Sequence, residues 1–270
     1  MSNVHTLASC LEQLPDELWL LMLTYLTPSD RLLAFGSLNF RLNTILCEAG
    51  AGVNDVMARD SCLMYEMSSC IALVNLQHRC EIIDMYSLNN IRSLTMRHIM
   101  RHQIIAIDPI YMPNLTVLRL SSPSDTLETC YARLLELILN QNFRSLVSMH
   151  LPQAEFFGIY NCTGHSSLQR VTIGACRSSR FSTLIDLLPN LITLEIRHLI
   201  SWPIRQTITH KKIRYLKFHI DAHSIEMEDT DALKAAAPSL KYIEAMQLTN
   251  TLSKCLPLSS YDTTIDDNDF

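Results

Sequence analysis

The sequence predicts an α/β chain in two parts: three short helices near the amino end, then a solenoid of strand and return-helix units with a parallel sheet on its concave side and helices on its convex side. Three observations predict it. Residues 11–48 are dense in helix start and stop signals. From residue 91 onward a six-residue pattern, apolar-x-x-apolar-x-apolar, appears seven times. Successive copies start 24, 31, 22, 23, 22 and 27 residues apart, too regular for chance triplets in a leucine-rich chain.

Composition sets the limits within which those elements are read. Hydrophobic residues make up 48% of the 270 and charged residues 18%, which places the chain among folded proteins with ample core to bury. The net charge is −5, and no Lys/Arg run is dense enough for nucleic acid or an anionic membrane to be the expected partner. The amino end has no basic stretch followed by an apolar one, and the longest apolar run, Leu18 to Leu23, is far too short to span a bilayer. A soluble, unexported protein of the cytoplasm, the nucleus or both is expected. Nine cysteines without a C-x-x-C pair or a Cys/His cluster give no zinc site and read as buried thiols in a reducing compartment. The sequons at Asn114 and Asn161 are then chance matches.

The first helix is expected to start near Pro15, whose missing N–H suits a first turn, with Asp16 and Glu17 at the positive end of its dipole. It stops before Pro28. Ser29 or Asp30 can cap a second short helix carrying Leu32, Leu33 and Phe35, which Gly36 ends. A third carries Leu38, Leu42, Ile45 and Leu46 on one stripe. Leu18, Trp19, Leu20, Leu21, Met22 and Leu23 are consecutive, so they surround the first helix on every side. Three short helices cannot enclose it alone; the rest of the chain or another protein has to cover part of it.

Residues 11–50 resemble an F-box. Leu14, Pro15, Asp16 and Glu17 match its Leu-Pro-acidic opening, Tyr25 and Leu26 the end of its first apolar helix, and Pro28, Ser29, Asp30, Arg31, Leu32 and Leu33 its Pro-x-Asp-Leu-Leu stretch. Leu38, Asn39, Phe40, Arg41 and Leu42 stand at its closing turn, with Leu42 where an aromatic residue is expected and Phe40 just before the arginine. The resemblance implies docking to a Skp-type adaptor and, through it, to a cullin scaffold, by a helix-in-groove contact. The residues implied in that contact are Leu14, Pro15, Leu18, Trp19, Met22, Leu26, Leu32, Leu33 and Phe40.

Residues 51–90 are apolar and Cys/Met-rich without clear periodicity, and read as a linker or one degenerate repeat. The seven copies that follow span 91–250: Ile91/Leu94/Met96, Leu115/Leu118/Leu120, Leu146/Met149/Leu151, Leu168/Val171/Ile173, Leu191/Leu194/Ile196, Ile213/Leu216/Phe218 and Leu240/Ile243/Ala245. Positions four and six alternate with polar residues, as in a strand with one buried face. Return helices are expected from Asp125 to Leu139, with Asp125 and Glu128 as a capping-box pair, around Phe181, Leu184, Ile185 and Leu188, and from Thr230 to Ala236. The period is similar to that of leucine-rich repeats. The Asn or Cys that usually ladders inside their turn is matched only by Cys176; the other copies have Ile99, Pro123, Ala154, Leu199, Asp221 and Leu248, so an irregular arc is expected.

Proteins of this kind bind along the concave face, at positions three, five and seven. The target-binding candidates there are Arg97, Arg119, His150, Arg170, Arg197, Tyr215, Lys217, His219 and Tyr242. Glu195 and Glu244 share that face, which is expected to be locally basic and suited to acidic or phosphorylated segments. The tail, 251–270, is acidic and expected to be disordered.

No phosphate-cradling, zinc-protease or nucleophile-elbow motif occurs, and His98 and His102, four apart, have no third ligand indicated. No catalytic residue, metal or cofactor is expected. The resemblance implies a substrate-recognition subunit of a Skp–cullin–F-box ubiquitin ligase, in the ubiquitin conjugation pathway. The alternative is a non-catalytic repeat scaffold whose F-box-like helices only cap the solenoid.

Overall fold

In the computed structural model of the chain, residues 14–35, 38, 40–49, 51–54, 71–78, 86, 89–122, 127–157, 162–200, 210–220, 238–247 and 253–257 are described. The chain divides into two compact units, residues 1–123 and 124–270.

The first unit opens with helices α1 (Asp16–Thr24), α2 (Pro28–Phe35) and α3 (Phe40–Ala49), followed by strands β1 (Ala51–Asn54), β2 (Ile71–Leu76) and β3 (Ser93–Met96), helix α4 (Arg101–Ala106) and strand β4 (Val117–Leu120). Pro15 is the residue before α1 and not part of its first turn; its carbonyl accepts from the amides of Leu18 and Trp19 at 3.1 and 3.2 Å. Thr27, not Ser29 or Asp30, caps α2. Its hydroxyl accepts from the Asp30 amide at 3.2 Å and donates to the Asp30 carboxylate at 2.7 Å, with Pro28 in the first helical position where no N–H is needed. Leu42, Ile45 and Leu46 are buried on α3 as expected, but Leu38 lies ahead of that helix and is exposed.

Arg31 holds the helix ends together. Its guanidinium donates to the carbonyls of Leu23 and Leu26 at 2.8 and 3.1 Å and of Ala49 at 2.7 Å, placing one cation at the negative ends of α1 and α3. Helix α2 rests on β1. A Cβ added at Gly52 would lie 2.7 Å from the Pro28 Cβ, so glycine is what lets the helix approach.

Strands β1 to β4 pair in sequence order, all parallel, with Val53, Val74, Leu94 and Leu118 in register and buried. Residues 51–90 therefore contribute two strands to the sheet. Ile71/Val74/Leu76 is an eighth copy of the pattern, because Val74 and Leu76 pair with Leu94 and Met96, the same two positions of the next copy.

The second unit contains helix α5 (Glu128–Leu139), strands β5 (Ser148–Phe156) and β6 (Arg170–Arg177), helix α6 (Ser178–Asp186) and strands β7 (Thr193–Ile200), β8 (Tyr215–Ile220), β9 (Tyr242–Gln247) and β10 (Ser253–Pro257). Strands β5 to β9 are parallel and in sequence order. Met149, Val171, Leu194, Leu216 and Ile243 line up across them, as do Leu151, Ile173, Ile196 and Phe218, and all are buried. The recurring pattern is thus the core-facing row of a parallel α/β sheet that advances by one strand per copy.

Leu127, Tyr131, Leu134 and Ile138 are buried beneath α5, and Phe181, Leu184, Ile185 and Leu188 are buried in and just after α6. Asp125 and the stretch 230–236 lie outside the described residues; α5 begins at Glu128, preceded by Leu127 with no side-chain cap. Within the tail, Ser253–Pro257 forms β10 and pairs antiparallel with β9, so that part is ordered, contrary to expectation; 258–270 lie outside the described residues.

Two buried histidines tie neighbouring copies together. His165 and His210 both stand three residues before a pattern start, at Leu168 and Ile213. Their Nε2 atoms donate to the Phe143 and Leu188 carbonyls, each at 2.9 Å. Phe143 and Leu188 occupy the same place in the preceding copies. Nδ1 of His210 accepts from the amides of Lys212 and Ile213 at 3.2 and 3.1 Å, which fixes the neutral tautomer.

Candidate functional site

Two surfaces carry the residues singled out by the sequence. In the first unit, α1 buries Trp19 (3% exposed) and Leu23 (2%) but leaves Leu18 (45%), Leu21 (53%), Met22 (41%) and Tyr25 (83%) in solvent. These four are spaced i, i+3, i+4 and i+7, so they form one continuous stripe of the helix. Pro15 is exposed and Leu14 half-buried, at the amino end of the same helix.

The candidate docking residues separate accordingly. Leu18, Met22 and Leu33 are exposed and Leu26 is half-buried. Trp19 is packed edge-on against Phe35 at 5.3 Å between ring centroids, so it supports the stripe from beneath and is not part of its surface. The side chains of Leu32 and Phe40 lie outside what the structure describes. Leu21 and Tyr25 belong to the stripe and were not among the docking residues implied by the sequence, although their spacing from Leu18 would have found them. Arg41 closes the group: it donates to the Leu14 carbonyl and, from Nε at 2.9 Å, to the Asp16 carboxylate, so the start of α1 is held by the residue that follows Phe40.

The second surface is the open face of the strands. In the first unit Arg97 and Arg119 are exposed. In the second, one row runs Ser148, Arg170, Thr193, Tyr215, Tyr242 and the next His150, Thr172, Glu195, Lys217, Glu244. Arg170, Arg197 and Tyr215 are exposed, whereas His150, Lys217, His219 and Tyr242 are half-buried. The charges are interleaved. Lys217 stands in register between Glu195 and Glu244, and Glu195 also accepts from the Thr172 hydroxyl at 3.2 Å. The second unit's face therefore carries both signs of charge, with the two glutamates expected on that face among them.

At the carboxyl-terminal ends of β5, β6 and β7 this face opens into a cleft of about 260 Å³ lined by Glu128, Pro152, Gln153, Glu155, Gly174, Ala175, Arg197 and His198. Ala154, Cys176 and Leu199 occupy the ladder position, where only Cys176 is of the usual type, and the strands continue past it, β5 through a bulge between Leu151 and Glu155. Gly174 is required at that bulge, because an added Cβ would sit 2.6 Å from the Pro152 carbonyl oxygen. Glu155 and His198 are then both in register with Ala175, from either side. Burial, with a further push from the nearby Glu128 charge, raises the Glu155 carboxyl above its usual range, and His198 opposes that shift. No family model, curated protein or solved structure matches this chain.

The described residues outside the cleft supply little further chemistry. Cys130, Cys162 and Cys176 are free, and burial pushes the Cys176 thiol up to about 12, which leaves it protonated and unreactive. Among the described residues no group of three His, Cys, Asp or Glu side chains is arranged to hold a metal, and His98 and His102 are both exposed. No described helix is long and apolar enough to cross a membrane.

Proposed function

We propose that this chain is the substrate-recognition subunit of a Skp–cullin–F-box ubiquitin ligase, with the amino-terminal helices docking to a Skp-type adaptor and the open strand face holding a target protein. The observation that carries the reading is the exposed stripe of Leu18, Leu21, Met22 and Tyr25. Each large apolar side chain taken out of water contributes about 1.5–3 kcal/mol, so a stripe of this kind supplies enough for a specific groove contact. The pairing of Arg41 with Leu14 and Asp16 supports it, since these are residues on which the F-box resemblance rests. Leu14, Pro15, Leu18, Leu21, Met22, Tyr25 and Leu33 then face the adaptor. Ubiquitin transfer occurs on an associated enzyme, and this chain contributes proximity. The protein works in the cytoplasm, the nucleus or both.

The contact of Pro28 with Gly52 favours a second reading, in which the helices serve only to cover the first strand of a scaffold. Capture by a purified Skp-type adaptor separates the two. The ligase reading predicts capture of the wild-type chain and its loss in a Leu14→Ala/Pro15→Ala variant of unchanged helicity. Absence of capture by the folded wild type favours the scaffold.

A further inference from the structure

We propose that the cleft at the carboxyl-terminal ends of β5, β6 and β7 is a pocket for one cationic side chain, a lysine or arginine, of a target segment lying along the open face. The inference deepens the substrate-receptor reading by naming what the target presents, and rests on that reading only for the identity of the guest as part of a target.

Size is the first ground. At about 260 Å³ the cleft is smaller than the several hundred Å³ typical of cofactor and drug-sized ligands, and it suits a single long side chain. Its floor is open because Gly174 and Ala175 stand where β7 carries Arg197 and His198. Gly174 is kept small by the β5 carbonyls that press on it, so the opening is built by the backbone and not by a rotamer.

Charge is the second ground. Glu155 enters the cleft from β5 and Glu128 from the first turn of α5, and among the described residues neither is in a salt bridge. Two carboxylates that repel each other across a partly desolvated space are stabilised by a cation between them. Arg197 and His198 line the cleft as well; Arg197 is exposed, and His198 offsets only part of the upward shift of the Glu155 carboxyl.

The test needs no adaptor, so its outcome is independent of the ligase reading. The full chain, labelled with ¹⁵N, is titrated with acetyl-Gly-Lys-Gly-amide and its Arg, Glu and norleucine counterparts. The amides of Gly174, Ala175 and His198 are followed. The expected result is saturable shifts at these amides with the Lys and Arg peptides only, weakened about tenfold in Glu155→Gln, the loss of one charge-assisted hydrogen bond. Glu128→Gln, altered on an exposed helix turn, weakens binding in the same direction and guards against misfolding of the first variant. Shifts with the Glu peptide instead, equal shifts with norleucine, undiminished binding by both variants, or no saturable shift with any peptide overturns the proposal.

Discussion

His165 shows how a single buried side chain ties two copies of the pattern together. Its ring donates to the Phe143 carbonyl, and burial holds its pKa below the usual 6.5. The neutral form is the one the fold accommodates. Its contribution to stability is therefore complete above pH 6.5, declines as pH falls below that value, and is gone once pH has passed through the folded-state pKa. Urea midpoints measured across that range are expected to fall for the wild type and to fall less steeply for His165→Gln, whose amide can still donate to Phe143. Tyr131 makes the opposite point. Its hydroxyl is fully buried without a partner and burial drives its pKa upward, so Tyr131→Phe is expected to raise the unfolding free energy by about 1 kcal/mol, read from denaturant curves. Neither role was legible in the sequence. A histidine three residues ahead of two pattern starts is a repeated signal, but its meaning depends on a carbonyl one copy away.

Within the elements, α1 sorts its consecutive apolar residues into two functions that composition does not distinguish. Trp19→Ala is expected to cost about 3–5 kcal/mol by removing the partner of Phe35, whereas Met22→Ser, on the exposed stripe, is expected to change stability by less than about 0.5 kcal/mol. Thermal unfolding of the two variants side by side checks the contrast. The positions of the helices could be read because Pro15, Pro28 and the acidic first turns are local signals. The Thr27 cap was missed because Ser29 and Asp30 offer the same chemistry nearby, and Leu38 was misplaced because helical spacing continues past the end of a helix. The role of Arg31 was hidden for another reason: its acceptors at Leu23, Leu26 and Ala49 meet only after three helices have packed. Arg31→Ala is accordingly expected to destabilise the amino-terminal unit, with the loss of helical signal at lower denaturant as the readout.

At the scale of the whole molecule, the order of the strands was legible because each copy contributes one buried row and advances the sheet by one place. Ile71/Val74/Leu76 was overlooked since its flanks lack the lead-in shared by later copies, not because the pattern is absent. The cleft was not legible at all. It depends on the β5 bulge, on Gly174 beneath it and on two glutamates brought together from a helix and a strand. Because the folded state raises the Glu155 pKa, the ionised form costs stability at neutral pH. Glu155→Gln is expected to melt higher than wild type near pH 7 and to lose that advantage as pH falls through the raised folded-state value towards the usual carboxylate value of 4.5, below which none remains, a trade often found where binding and stability conflict.

The ligase reading rests on an exposed apolar stripe having a partner, and calorimetric titration of the full chain with a purified Skp-type adaptor tests this most directly. Saturable binding with the negative heat-capacity change of apolar burial is predicted, together with its loss in a Leu18→Ser/Met22→Ser variant that melts like the wild type. A well-folded wild type that releases no heat and shows no association at any adaptor concentration tested, or a double variant that binds undiminished, would contradict it.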